Sequence, residues 1–123
     1  MRVLVFGNPL LKNDSLPIRL LPSLKKHFPD VDFVETDPAD IDVEKGKLIV
    51  IDTAKGIKEV TLLDDISKLE SDSMLSMHGL GLAEQLVLME AAGQKVKLKI
   101  ICVPEKISQK LALEGITKIL KSI

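Results

Sequence analysis

Arg2-Val3-Leu4-Val5-Phe6 is a short, almost continuously apolar run, the composition of a strand whose sheet is covered on both faces. It stops at Gly7-Asn8-Pro9. A strand of this kind needs helices above and below it, and the segments that follow supply them. Asp14 or Ser15 can cap a helix with Pro17 in its first turn, and Leu16, Leu20, Leu21 and Leu24 recur on one helical face. Lys25-Lys26-His27 suit the negative end of that helix and Pro29 stops it, while Pro22 is awkward in its interior.

Further along, Val31–Thr36 reads as a second strand, Pro38–Gly46 as a mostly polar connection, and Lys47–Ile51 as a third strand rich in Ile and Val. Asp52 stands at its C-terminal end. Thr53-Ala54-Lys55-Gly56 is too short for a helical crossover, so the alternating segment Lys58–Leu62 is expected to turn back, making the sheet mixed. Leu82, Leu86 and Met89 mark a helix ended by Gly93. Lys97–Val103 is the last strand, stopped by Pro104, and Ile107, Leu111, Ile116, Ile119 and Leu120 form the apolar side of a closing helix. The order β-α-β-β-β-α-β-α predicts a three-layer α/β domain whose parallel strands deliver loops to one rim, where function is usually found. No repeat or linker divides residues 1–123, and their number suits one domain.

Composition excludes several function classes. With 46% hydrophobic and 28% charged residues the chain is too apolar for a disordered segment. Seventeen Lys plus Arg against eighteen Asp plus Glu give a formal net charge of −1, so no overall basic field holds a phosphate backbone. Three Phe with no Tyr or Trp leave no stacking platform for single strands. Nucleic acid is therefore not the expected partner. The apolar runs Leu48–Ile51 and Ile100–Val103 fall far short of the ~20 residues that cross a bilayer. The run from Val3 stops too soon for a signal peptide, and the single cysteine, Cys102, excludes an internal disulfide. A cytoplasmic setting is expected.

Three residues fall where chemistry could be carried: Asp14 after the first strand, Asp52 at the end of the third, and His78 before a helix. Two carboxylates and an imidazole could hold a divalent transition metal with open positions for water or substrate. Each also has a plain structural role open to it. Asp14 could be an N-cap, Asp52 a turn residue closing a Thr53–Gly56 hairpin, and His78 a loop or capping histidine beside the permissive Gly79-Leu80-Gly81. His27, beside two lysines at a helix C-terminus, reads as a surface histidine facing the helix dipole. Cys102, inside Ile100-Ile101-Cys102-Val103, reads as a small hydrophobe rather than a nucleophile. Ser76 lies two residues from His78, which alone does not make an activated pair. Gly7-Asn8-Pro9-Leu10-Leu11 lacks the spacing of a phosphate loop.

Taken in order, four segments resemble the hydrogenase maturation endopeptidases, which trim the C-terminal extension from the large subunit of nickel-iron hydrogenases. Val3-Leu4-Val5-Phe6 with Gly7-Asn8-Pro9-Leu10-Leu11-Lys12-Asn13-Asp14 is similar to that family's opening strand and G-N-x-L-x-x-D-[DE] loop. Leu48-Ile49-Val50-Ile51-Asp52 resembles its strand ending in a metal-site aspartate, and Ser76-Met77-His78-Gly79-Leu80-Gly81-Leu82 its histidine loop. Ile100-Ile101-Cys102-Val103-Pro104-Glu105 is similar to the closing strand and proline.

The resemblance implies an α/β sandwich with a mixed, largely parallel sheet of about five strands. It also implies a metal-recognition and catalytic site of Asp14, Asp52 and His78. The metal implied is nickel already installed in the precursor subunit, for which other divalent transition metals could substitute, and a monomeric enzyme is expected. Such a site suits amide hydrolysis, which needs a polarised carbonyl and an activated water. A carboxylate not fully occupied by metal could take the water's proton. Two rivals come from other classes. A phospho-receiver-like domain shares the length, an aspartate after the third strand and Lys106 after the last, but Gly7-Asn8 stand where its magnesium-holding acidic residues belong. The other is a small α/β interaction domain without chemistry.

Overall fold

The computed structural model of the chain describes residues 1–7, 15–36, 46–54, 56–64 and 86–123. Its strands are β1 (Arg2–Val5), β2 (Asp32–Glu35), β3 (Lys47–Ala54), β4 (Thr61–Leu63) and β5 (Lys97–Pro104). They form a single five-stranded sheet in the order β2-β1-β3-β5-β4. The first four in that order run parallel, and β4 lies antiparallel to β5 at the edge. The mixed, largely parallel sheet expected from the sequence is the one observed. Its order, with an antiparallel edge strand, is not the doubly wound 2-1-3-4-5 order of flavodoxin-like receivers.

Period-two alternation in the central strands feeds two separate cores. Val3, Val5, Ile49, Ile51, Ile101 and Val103 point to one face, where α1 (Leu16–Arg19), α2 (Leu21–His27) and α3 (Gln109–Ser122) cover them. Leu4, Phe6, Leu48, Val50, Ile100 and Cys102 point to the other, where Leu86 and Met89 of helical residues 86–91 pack. Both faces are thus covered, which is why these strands are apolar at nearly every position rather than at alternate ones.

Pro22 resolves into a break. The single expected helix is two, with Leu20 ending α1 and heading α2, and each helix carries a proline in its first turn where the missing N–H costs nothing. Leu16, Leu20, Leu21 and Leu24 are all buried, as their spacing required. Ser15, the other capping candidate, occupies the N-cap position of α1 without a side-chain capping bond, and Asp14 lies outside the described residues. After residues 86–91, Gly93 takes φ +85°. Its N–H reaches the carbonyl of Glu90, and that of Gln94 reaches Met89, the paired bonds of a Schellman stop.

Two expectations need correction in detail. Segment 58–62 was expected to turn back as a strand, and it does so with shifted bounds as β4, Thr61–Leu63, which pairs with β5 rather than closing a hairpin on β3. The reason lies in ladder length: β5 matches β3 along eight positions, from Lys47↔Lys97 to Ala54↔Pro104. A three-residue strand offers too little hydrogen bonding and burial to displace it. The closing helix buries the expected side, Ile116 and Leu120 with Ile107 and Ile119 packed beside them, except at Leu111, whose place Ala112 takes. Ala112, Ile116 and Leu120 face the core, whereas Leu111 is 57% exposed.

Candidate active site

Asp52 is built into the sheet rather than hung from a turn. It follows four buried residues of β3, the strand with β1 on one side and β5 on the other, and two more strand residues come after it. The hairpin role is therefore ruled out. Asp52 is itself buried, at 6% exposure. Lying between Val50 and Ala54, it points to the same face as they do, the face on which residues 86–91 pack. Its register partner on β5 is Cys102.

A buried carboxylate requires hydrogen-bond donors. Asp52 Oδ1 accepts one from the backbone N–H of Thr53 at 2.8 Å, which fixes the orientation of the carboxylate against its own strand. Thr53 points to the opposite face, and its Oγ1 is buried with no hydrogen-bond partner among the described residues. Nothing in the sequence singled Thr53 out, because its burial follows from its pairing with Val103 of β5 and from what packs around the strand. An unpartnered buried hydroxyl one residue from the candidate acid is the polar anomaly of this region.

Parallel β1, β3 and β5 all end at one rim, at Val5, Ala54 and Pro104 respectively. Asp52 belongs to that rim. Asp14 and His78 lie outside the described residues, as does Ser76. Among the described residues no group of three or more His, Cys, Asp or Glu gathers as a metal cage. Asp52 alone of the expected trio is therefore located, and its oxygen donor chemistry suits a divalent metal.

The two residues read as structural behave so. His27 ends α2, and its Nδ1 lies 2.8 Å from the carbonyl of Ser23, a contact that requires the ring to donate from Nδ1 within its own helix. Cys102 is buried in the apolar cluster of Leu4, Phe6, Val50 and Ile100. No described helix is long and apolar enough to cross a membrane.

No protein-family model and no curated protein matches the chain. Among solved structures it is similar to the hydrogenase maturating endopeptidase HybD from Escherichia coli, with a TM-score of 0.66 and 22% identity, covering 99% of this chain and 93% of that one. It is also similar to an endopeptidase from Escherichia coli solved in solution, with a TM-score of 0.61 and 22% identity, covering 99% of this chain and 86% of that one. The fold is thus the α/β fold of the hydrogenase maturating endopeptidase, shared across almost the whole chain.

Proposed function

We propose that this chain is an endopeptidase that removes the C-terminal extension of a nickel-iron hydrogenase large-subunit precursor after nickel insertion. The observation that carries the reading is Asp52: a buried carboxylate near the C-terminal end of the central strand, in a fold whose solved counterparts are endopeptidases. Asp14 and His78 complete the proposed set. Support for Asp14 comes from Ser15, the next residue, which heads a helix packed against β3. The sheet order argues against the receiver alternative.

Nickel enters this reading as part of the substrate, held by the precursor's own cysteines, since thiolates are strong ligands for such metals. Asp14, Asp52 and His78 offer it two carboxylates and an imidazole. Precursor recognition and readiness for cutting then become one event. The protein's own contribution is to hold these donors at the rim and to accept the attacking water's proton on a carboxylate not engaged by metal. The setting proposed is a cytoplasmic monomer.

Purified protein incubated with nickel-loaded and with metal-free precursor, read by mass spectrometry of the large subunit, tests this. The nickel-loaded form should lose its C-terminal peptide and the metal-free form should stay intact with excess protein. His78→Ala should fail on both. Equal trimming of the two precursor forms overturns the nickel-reading role.

A further inference from the structure

Among the described residues, the outer edge of the sheet carries a second feature suited to a peptide. β4 pairs with β5 on one side, Thr61, Leu62 and Leu63 standing opposite Cys102, Ile101 and Ile100, and it is the last strand in the sheet order. Alternate residues of such an edge turn backbone N–H and C=O groups outward, a template for another strand. Helix α3 runs alongside. Between strand and helix lies an open groove of about 760 Å³, with Thr61 and Leu62 on its strand side and Leu111 and Ile119 on its helix side. Leu111, 57% exposed, is an apolar side chain that the core does not use.

We infer that this groove is an exosite for an extended segment of the precursor's C-terminal extension, which adds to β4 as a sixth strand and sets an apolar side chain against Leu111. The inference rests on the protease reading above. Backbone groups along a strand edge select an extended partner, and pockets beside the edge select its side chains. The groove's charges, Lys58 and Lys118 against Glu59 and Glu114, cancel, which matches an uncharged peptide rather than an acidic or basic one. A second copy of this chain is a poor occupant. Two three-residue strands meeting edge to edge bury far less than the ~1,200 Å² of a stable interface.

Register locates the groove relative to Asp52. Thr61 pairs with Cys102, and Cys102 pairs with Asp52, so all three share one level across the sheet. A strand added outside β4 lies three strand spacings from β3, about 14 Å at ~4.8 Å each in the plane of the sheet, and Asp52 points to the face opposite α3, so a peptide joining the two passes round the strand ends and spans more than the four or five extended residues of the in-plane gap. The groove thus holds residues remote from the scissile bond, where binding contributes to capture rather than to the chemical step.

The experiment titrates isotope-labelled protein with a synthetic peptide of the extension beyond the scissile bond, and measures precursor cleavage by wild-type, Leu111→Glu and Asp52→Asn proteins. The peptide should shift the amide resonances of Thr61–Leu63 and Leu111. Leu111→Glu, at an exposed position, should raise KM at least ~10-fold with kcat within about 2-fold. Asp52→Asn should keep the peptide shifts and lose kcat. Absence of shifts along β4, or an unchanged KM in Leu111→Glu, overturns the exosite and leaves the protease reading standing. A concentration-dependent dimer abolished by Leu111→Glu assigns the groove to a second copy and also overturns it. Peptide shifts at β4 in a protein that cuts no precursor overturn the protease reading alone.

Discussion

Asp52 on β3 and Cys102 on β5 stand at paired positions of adjacent parallel strands, so the candidate acid and the chain's only cysteine share one level and one face of the sheet. Their surroundings still assign them different work. Cys102 is packed among apolar side chains, so Cys102→Ser is expected to keep cleavage activity and to lose about 1–3 kcal/mol of stability from a hydroxyl buried in that cluster. Asp52→Asn keeps an oxygen to accept from Thr53 N–H, and is expected to fold while cleavage is lost. Denaturant titration and the precursor assay read both. Abolished turnover in a stably folded Cys102→Ser protein would return the cysteine to the chemistry.

Thr53→Val tests the unpartnered hydroxyl. The two side chains have nearly the same shape, and Thr53 Oγ1 makes no hydrogen bond among the described residues. Removing it therefore relieves the cost of burying an unsatisfied group, about 1–3 kcal/mol. The variant is expected to unfold at higher urea concentration than wild type with an unchanged denaturant slope. A lower midpoint would mean that the hydroxyl has a partner in solution.

Gly115→Ala sets helix propensity against packing. In an exposed helix interior the change would gain about 1 kcal/mol. Here a Cβ on residue 115 would fall 2.6 Å from Val60 Cβ and 2.7 Å from its Cγ2, and the nearest atom is fixed by the Val60 backbone rather than borne on a flexible tip. Overpacking of this kind costs about 1–3 kcal/mol, so net destabilisation is expected by denaturant titration. Val60→Ala should not rescue it, because the colliding Cβ remains, whereas Val60→Gly should. A Gly115→Ala protein more stable than wild type would show that α3 can move away from β4 at little cost.

The central strands were legible in the chain itself because both faces of β1, β3 and β5 are covered, and that demand is written directly as runs such as Leu48–Ile51 and Ile100–Val103. Backbone chemistry was equally local. Pro22 divides one helix into two, and Gly93 ends another through a positive φ that favours glycine. Asp52 was legible as the polar residue after an apolar run, and so was the mixed character of the sheet, whereas the continuation of β3 through Thr53 and Ala54 was not. Which strand β4 joins was not, since that depends on competition for the edge of β3 with a segment more than thirty residues further along, settled by ladder length. Nor did helical spacing show that Leu111 stays outside the core while Ala112 enters it. The choice among apolar neighbours on α3 is made by where the sheet lies against the helix. Tertiary packing likewise buried the Thr53 hydroxyl beside Asp52, because the burial of a strand residue is decided by what pairs and stacks around it.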